Sequence, residues 1–282
     1  LYEVMKALGE PVIDPETKRD VGPQTFPVKR FMVPVDTALV RKNGAVNAND
    51  TILPYIQFEL RQQEGNRLGL QRNDLMIMNI IAANAWKRPI YFTSAYSSLN
   101  LGSYLRKEGL TYKLVPVQLK GNEENWVIRT YMVPGNNDLL YNNLMNKFVF
   151  TSKPGAYYDE ENRRHALNLR TTYAEAAGDL ADLGKKADAL KLIEKFESMV
   201  SSKDLPYAMI GRDNSHNING LVYLEACYKA GNLQLAEKVK AALKKDFEQQ
   251  HDYYASLGKM TSQQLSDILD RYQQMRMMAQ SR

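Results

Sequence analysis

The chain of 282 residues carries a formal net charge of +5, with 44% hydrophobic and 24% charged residues. That balance excludes an intrinsically disordered chain, and no apolar run approaches the roughly 18 residues that would read as a membrane-spanning helix. The single cysteine, Cys227, excludes an intrachain disulfide, and the mild positive charge lacks the concentrated basic footprint of a nucleic-acid binder.

The expectation is a water-facing module of two domains. Residues 1–36 contain Pro11, Pro15, Pro23, Pro27 and Pro34 and read as extended chain and turns, with an edge strand over Val28–Val35. Asn43-Gly44 and Asn47–Asp50 mark turns. Ile52–Gln63 is ambiguous between strand and helix, because Ile52, Tyr55, Ile56 and Glu59 fit a helix only partly. Asn73 or Asp74 is a candidate cap for a helix running to Asn84, with Leu75, Met78, Ile81 and Ala82 at helical spacing. Pro89–Thr93 reads as a strand, Leu99–Lys107 as a helix stopped by Gly109, and Leu110–Val117 as another strand. That order suggests a parallel strand-helix-strand crossover. Trp126–Val133 reads as a third strand and Tyr141–Phe150 as a short helix. Pro154-Gly155 sets the boundary between a mixed α/β domain, 1–155, and a helical domain, 156–282.

Beyond the boundary, helical periodicity predicts helices at Asn162–Leu183, Lys186–Val200, Asn219–Ala230 and Leu233–Gln249, and a terminal capping helix at Thr261–Met278. The segments LADLGKKADALKLI and CYKAGNLQLAEKV echo one another, each with a Gly followed by an Ala at equal offset. Gly184 and Gly231 lie 47 residues apart, longer than the tetratricopeptide period of about 34. The pattern predicts tandem helical hairpins of tetratricopeptide-like character.

Chemistry is sparse. His165, His216 and His251 form no HxxxH or HExxH spacing and have no cysteine partner, so no metal site or cofactor is expected. No phosphate loop and no GxSxG elbow occurs. Asp159–Glu161 suits the positive end of the following helix. Two groups remain as candidate binding residues. Asp213, Asn214 and His216 sit in GRDNSHN at a helix start, where anions are favoured, the plainer alternative being a helix cap. Trp86, Arg88 and Tyr91 in NAWKRPIYFT have the composition of a sugar- or peptide-binding surface, the plainer alternative being that Trp86 is core.

The segments NDLMIMNIIAANAWKRPIYFT and YLRKEGLTYKLVPV, with NLRTTYAEAAGDLADLGKKADALKLIEKF, LPYAM and YKAGNLQLAEKV behind them, resemble the soluble C-terminal region of a bacterial family of multi-pass membrane proteins, domain of unknown function 2723. The resemblance covers about residues 24–257. It implies a parent whose membrane part is similar to protein O-mannosyltransferases and holds the catalytic acid on a membrane loop. No catalytic residue carries over to this chain. The expected partners are a protein or peptide, including a glycosylation acceptor, and the parent's own membrane-embedded region. The expected location is the periplasmic face of a bacterial inner membrane. The rival readings are a stand-alone interaction scaffold and a carbohydrate-binding module using the Trp86–Tyr91 surface.

Overall fold

The computed structural model describes residues 1–8, 10–20, 30–59, 72–93, 99, 101–117, 124–125, 130–131, 137–150, 157–211, 214–256, 266, 270–271, 273–274 and 277. The chain divides into two compact units, 1–122 with 132–134, and 123–131 with 135–282. The helical unit thus takes in residues 137–150, which precede the sequence boundary at Gly155.

The first unit is α+β. It opens on helix α1, Tyr2–Leu8, in a stretch expected to be extended. The prolines that forbid a helix begin only at Pro11, and Tyr2, Val4 and Met5 pack onto the unit's core. Strand β1, Arg30–Pro34, pairs antiparallel with β2, Tyr55–Glu59. The alternation of buried and exposed residues resolves the ambiguity in favour of strand over Tyr55–Glu59; residues 60–63 of that segment lie outside the described residues. Phe31 and Phe58 are directly opposed, and their rings stack at 5.3 Å. Helix α2, Thr37–Lys42, is capped by Asp36, whose carboxylate accepts from the Leu39 N–H. Helix α3, Arg72–Asn84, begins earlier than its expected cap, so Asp74 lies inside the first turn.

The expected parallel crossover does not form. Strands β3, Tyr91–Phe92, β4, Leu105–Lys107, and β5, Tyr112–Leu114, make one antiparallel sheet in the order β3-β5-β4. Among the described residues of the expected helix at 99–107, only Leu101–Tyr104 are helical, as a single 3-10 turn. Gly109 adopts φ +90°, the left-handed conformation expected of it, but turns the β4–β5 hairpin instead of ending a helix. Two short strands, Glu124–Asn125 and Thr130–Tyr131, pair as a hairpin where one strand was expected. Residues 126–129 and 132–133 of that expectation lie outside the described residues.

The second unit is helical in all its other described elements. Helix α4, Asn137–Asn142, continues into a π-helical turn, Asn143–Lys147. Helices α5, Glu160–Asp182, α6, Lys186–Met199, α7, Ser215–Ala230, and α8, Leu233–Ser256, follow as two hairpins. Gly184 and Gly231 turn them at φ +79° and +83°. Asp159 caps α5 by accepting from the Asn162 N–H at 2.8 Å, so the acidic run serves the helix start as expected.

The period seen in the sequence reappears as contacts. Lys229 bonds Asp182 at 2.8 Å, Lys185 bonds Asp138 at 2.8 Å, Tyr141 bonds Asp188 at 3.2 Å and Lys195 bonds the Phe148 carbonyl at 3.0 Å. Each pair is separated by 47 residues. In these four pairs, residues one such spacing apart lie side by side.

Candidate functional site

The turn between α3 and β3 is backbone-strained. Ala85 and Trp86 have φ of +43° and +61°, which residues with a Cβ adopt at a cost. Side-chain amides hold it. Asn84 brackets the turn, accepting from the Arg88 N–H at 3.2 Å and donating to the Arg88 carbonyl at 2.6 Å. Asn43 donates to the Trp86 carbonyl at 2.6 Å, and the Trp86 indole N–H donates to the Pro34 carbonyl at 2.7 Å. Trp86 is therefore core, 6% exposed. Its ring offers no face for a sugar, which corrects its place in the candidate surface. Arg88 is exposed and Tyr91 is 50% exposed; these two remain at the surface.

The two motif segments meet behind Tyr91. Tyr91 pairs with Lys113 and Lys113 with Arg106, so the three side chains form a row on one face of the sheet. Glu108 joins them from the β4–β5 turn. The Tyr91 hydroxyl donates to Glu108 at 3.4 Å, Lys113 and Arg106 each lie 3.4 Å from the Glu108 carboxylate, and Arg106 bonds Asp50 at 2.7 Å. The Lys113 ammonium also donates to the Gly44 carbonyl at 2.7 Å and lies over the Tyr91 ring. Burial, then the Glu108 charge, raise the Tyr91 phenol above its ordinary pKa. Two cations face two carboxylates, so the network is balanced within itself. It ties the sheet to the 43–50 loop and holds the Tyr91 hydroxyl. Asp50, Arg106, Glu108 and Lys113 were not singled out from the sequence. A partial signal was present: in EGLTYKLVP, Lys113 stands between Tyr112 and Leu114 on a strand, and Glu108 precedes the Gly109 turn.

The second candidate group is divided by the structure. Asp213 lies outside the described residues. Asn214 adopts φ +55° and makes no capping bond to the start of α7. Its side chain instead accepts from Asn217 at 2.8 Å, and Asn217 also donates to Asp246 at 2.6 Å. His216 is buried, with Nε2 2.7 Å from the Pro206 carbonyl; because a carbonyl only accepts, Nε2 carries the proton. Burial lowers its pKa, assisted by Arg170 and Arg163 and opposed by the Pro206 bond and Asp246. His216 therefore does not face outward as an anion site would require, and Asn214 is half-buried.

His216 belongs to a buried polar centre built on Arg170 of α5, which sequence reasoning missed. The Arg170 guanidinium donates to the Leu205 and Pro206 carbonyls and lies 5.5–5.8 Å from the ring centres of Phe196, Tyr207 and Tyr223. Glu197 accepts from the Tyr207 hydroxyl at 2.6 Å and the Tyr223 hydroxyl at 2.7 Å. Arg170 occupies the apolar stripe of α5 between Leu167 and Tyr173, and a charge on a buried stripe is the signal that could have found it. The centre pins the loop between the two hairpins. Cys227 is buried beside it, with its thiol pushed up by burial, and is inert. Among the described residues, no group of three or more metal-ligating side chains comes together.

The family model described as TMEM260-associated domain 2 matches residues 2–131. The front half of the chain is therefore similar to a domain associated with a membrane-protein family. No curated protein and no solved structure matches the chain. Among the described residues, no helix is long and apolar enough to cross a membrane.

Proposed function

We propose that this chain is the non-catalytic, extramembrane C-terminal region of a larger membrane protein of the protein O-mannosyltransferase-like class. Its task would be to hold an acceptor protein or another partner near the membrane-embedded part. The observation that carries the reading is the TMEM260-associated match across residues 2–131. It includes both motif segments that resemble the bacterial family, and those segments meet at Tyr91 and Glu108. The side of the membrane, taken to be periplasmic, and the tetratricopeptide-like nature of the hairpins belong to the same proposal. Stacked helical hairpins suit protein or peptide partners, and the exposed pair Arg88 and Tyr91 has the residue types that anchor such interfaces.

The test is to express the full parent protein with Arg88→Ala and Tyr91→Ala and measure sugar transfer to its co-expressed acceptors. The reading expects membrane insertion to be unchanged and transfer to fall about tenfold or more, equivalent to about 1.4 kcal/mol of lost binding. Unchanged transfer with both residues removed would eliminate this surface. A chain that proves to have no membrane-embedded parent would eliminate the reading itself.

A further inference from the structure

Two segments of the α+β unit, 41–44 and 84–93, contain Arg41, Lys42, Lys87 and Arg88 and no carboxylate. All four cations are exposed. Backbone and side-chain contacts bring the segments together. Asn43 donates to the Trp86 carbonyl at 2.6 Å, so Lys42 and Lys87 each adjoin one residue of a bonded pair. Lys113 donates to the Gly44 carbonyl at 2.7 Å and lies over the Tyr91 ring, which ties the same loop to Tyr91.

The charge of this surface is left open by the fold. Among the described residues, none of the four cations pairs with a carboxylate, and the Arg41 guanidinium donates to the Ala48 and Asp50 carbonyls. The carboxylates beneath, Asp50 and Glu108, are already matched by Arg106 and Lys113. Elsewhere exposed cations sit beside carboxylates, as Arg30 does beside Glu59, Arg164 beside Glu161, Lys185 beside Asp138 and Lys191 beside Asp188. Helices α2 and α3 both end at this place, and a helix C-terminus carries about half a negative charge. Two such ends offset about one cation, so helix termini do not account for the cluster.

We propose that the segment bound at the Arg88–Tyr91 surface is an acidic stretch of polypeptide. Its carboxylates face Arg41, Lys42, Lys87 and Arg88, and one of its side chains packs on the exposed part of the Tyr91 ring. The inference rests on the reading of Arg88 and Tyr91 as a partner-anchoring surface and adds the chemistry of the partner. A single exposed ion pair is weak, so recognition comes from the four cations acting together and is sensitive to salt.

Fluorescence anisotropy of the full chain tests this with a labelled peptide of alternating Asp and Ser and its Asn–Ser counterpart. The Asp–Ser peptide should bind about tenfold or more tightly than the Asn–Ser peptide, and raising salt from about 20 mM to about 300 mM should abolish most of that preference. Lys42→Glu combined with Lys87→Glu should remove the preference, whereas Lys238→Glu with Lys245→Glu, at exposed positions of α8, should leave it. Equal binding of the two peptides overturns the acidic class, and so does an equal loss in the α8 variant; because both comparisons include the unaltered chain, a misfolded variant does not decide the matter. Binding to phosphatidylglycerol vesicles with no binding of the Asp–Ser peptide would make the partner a membrane and also overturn the proposal. Each of these outcomes leaves Arg88 and Tyr91 as an anchoring surface, which the sugar-transfer measurement on Arg88→Ala and Tyr91→Ala decides separately.

Discussion

Arg170 shows how a single side chain can organise a loop. Its guanidinium satisfies two carbonyls of the 200–211 segment and is enclosed by three aromatic rings. Arg170→Ala removes the cation, strands both carbonyls and leaves a void, so the helical unit should lose about 3–5 kcal/mol in a urea titration. A loss under about 1 kcal/mol would mean the guanidinium is no more than a surface-like ion. His216 adds a pH dependence. Its pKa is lowered in the fold, chiefly by burial, so the native state prefers the neutral ring. The contribution is fully present above the unfolded value of about 6.5 and declines as pH falls below it toward the folded value. Urea midpoints of the helical unit should therefore drop between pH 7.5 and pH 5.5, and His216→Gln should flatten that drop. An equal slope in the variant would assign the acid sensitivity elsewhere.

At the scale of elements, two glycines separate backbone conformation from packing. Gly231 ends α7 at φ +83° with open space where a Cβ would sit, so Gly231→Ala incurs only the left-handed backbone cost of about 1–2 kcal/mol. Gly220 lies inside α7, where a Cβ would come 2.8 Å from the Tyr207 carbonyl and 3.0 Å from Leu243. Gly220→Ala should cost about 1–3 kcal/mol by overpacking. It should also disturb the loop at Tyr207, visible as faster amide exchange there, which Gly231→Ala should leave alone. The segment 99–107 teaches the converse lesson about elements. Its composition suits a helix, yet Leu105–Lys107 is a strand, because β5 offers a complete set of backbone partners and the core takes Leu105.

At the scale of the whole molecule, the described residues form two apolar cores, one around Phe31, Ile56, Met78 and Leu105, the other around Tyr173, Phe196, Tyr223 and Phe247. Separate cores permit separate unfolding. Trp86→Ala should destabilise the α+β unit by about 3–5 kcal/mol and leave the transition of the helical unit in place. Arg170→Ala should do the reverse. Differential scanning calorimetry of both variants decides it, and a single transition that moves as one in both would show the two cores to be thermodynamically coupled.

The amino-acid sequence by itself determined the helical half. Apolar residues at 3.6-residue spacing and glycines at the turns give α5 and α6 nearly their full extents and place α7 and α8, though α7 starts earlier, at Ser215, and α8 runs on to Ser256; helix bonds and hairpin turns are local in the chain. The 47-residue echo was legible for the same reason. The front half was decided by tertiary structure. The β4–β5 hairpin is local in the chain, but the pairing of β3 with β5, Tyr91 opposite Lys113, joins residues distant in sequence that the order of elements does not reveal. The candidate residues divided the same way. Residue type drew attention to Trp86, Arg88, Tyr91 and His216. Only the packed structure placed Trp86 and His216 inside, left Arg88 and Tyr91 outside, and brought Arg106, Glu108 and Lys113 together across strands.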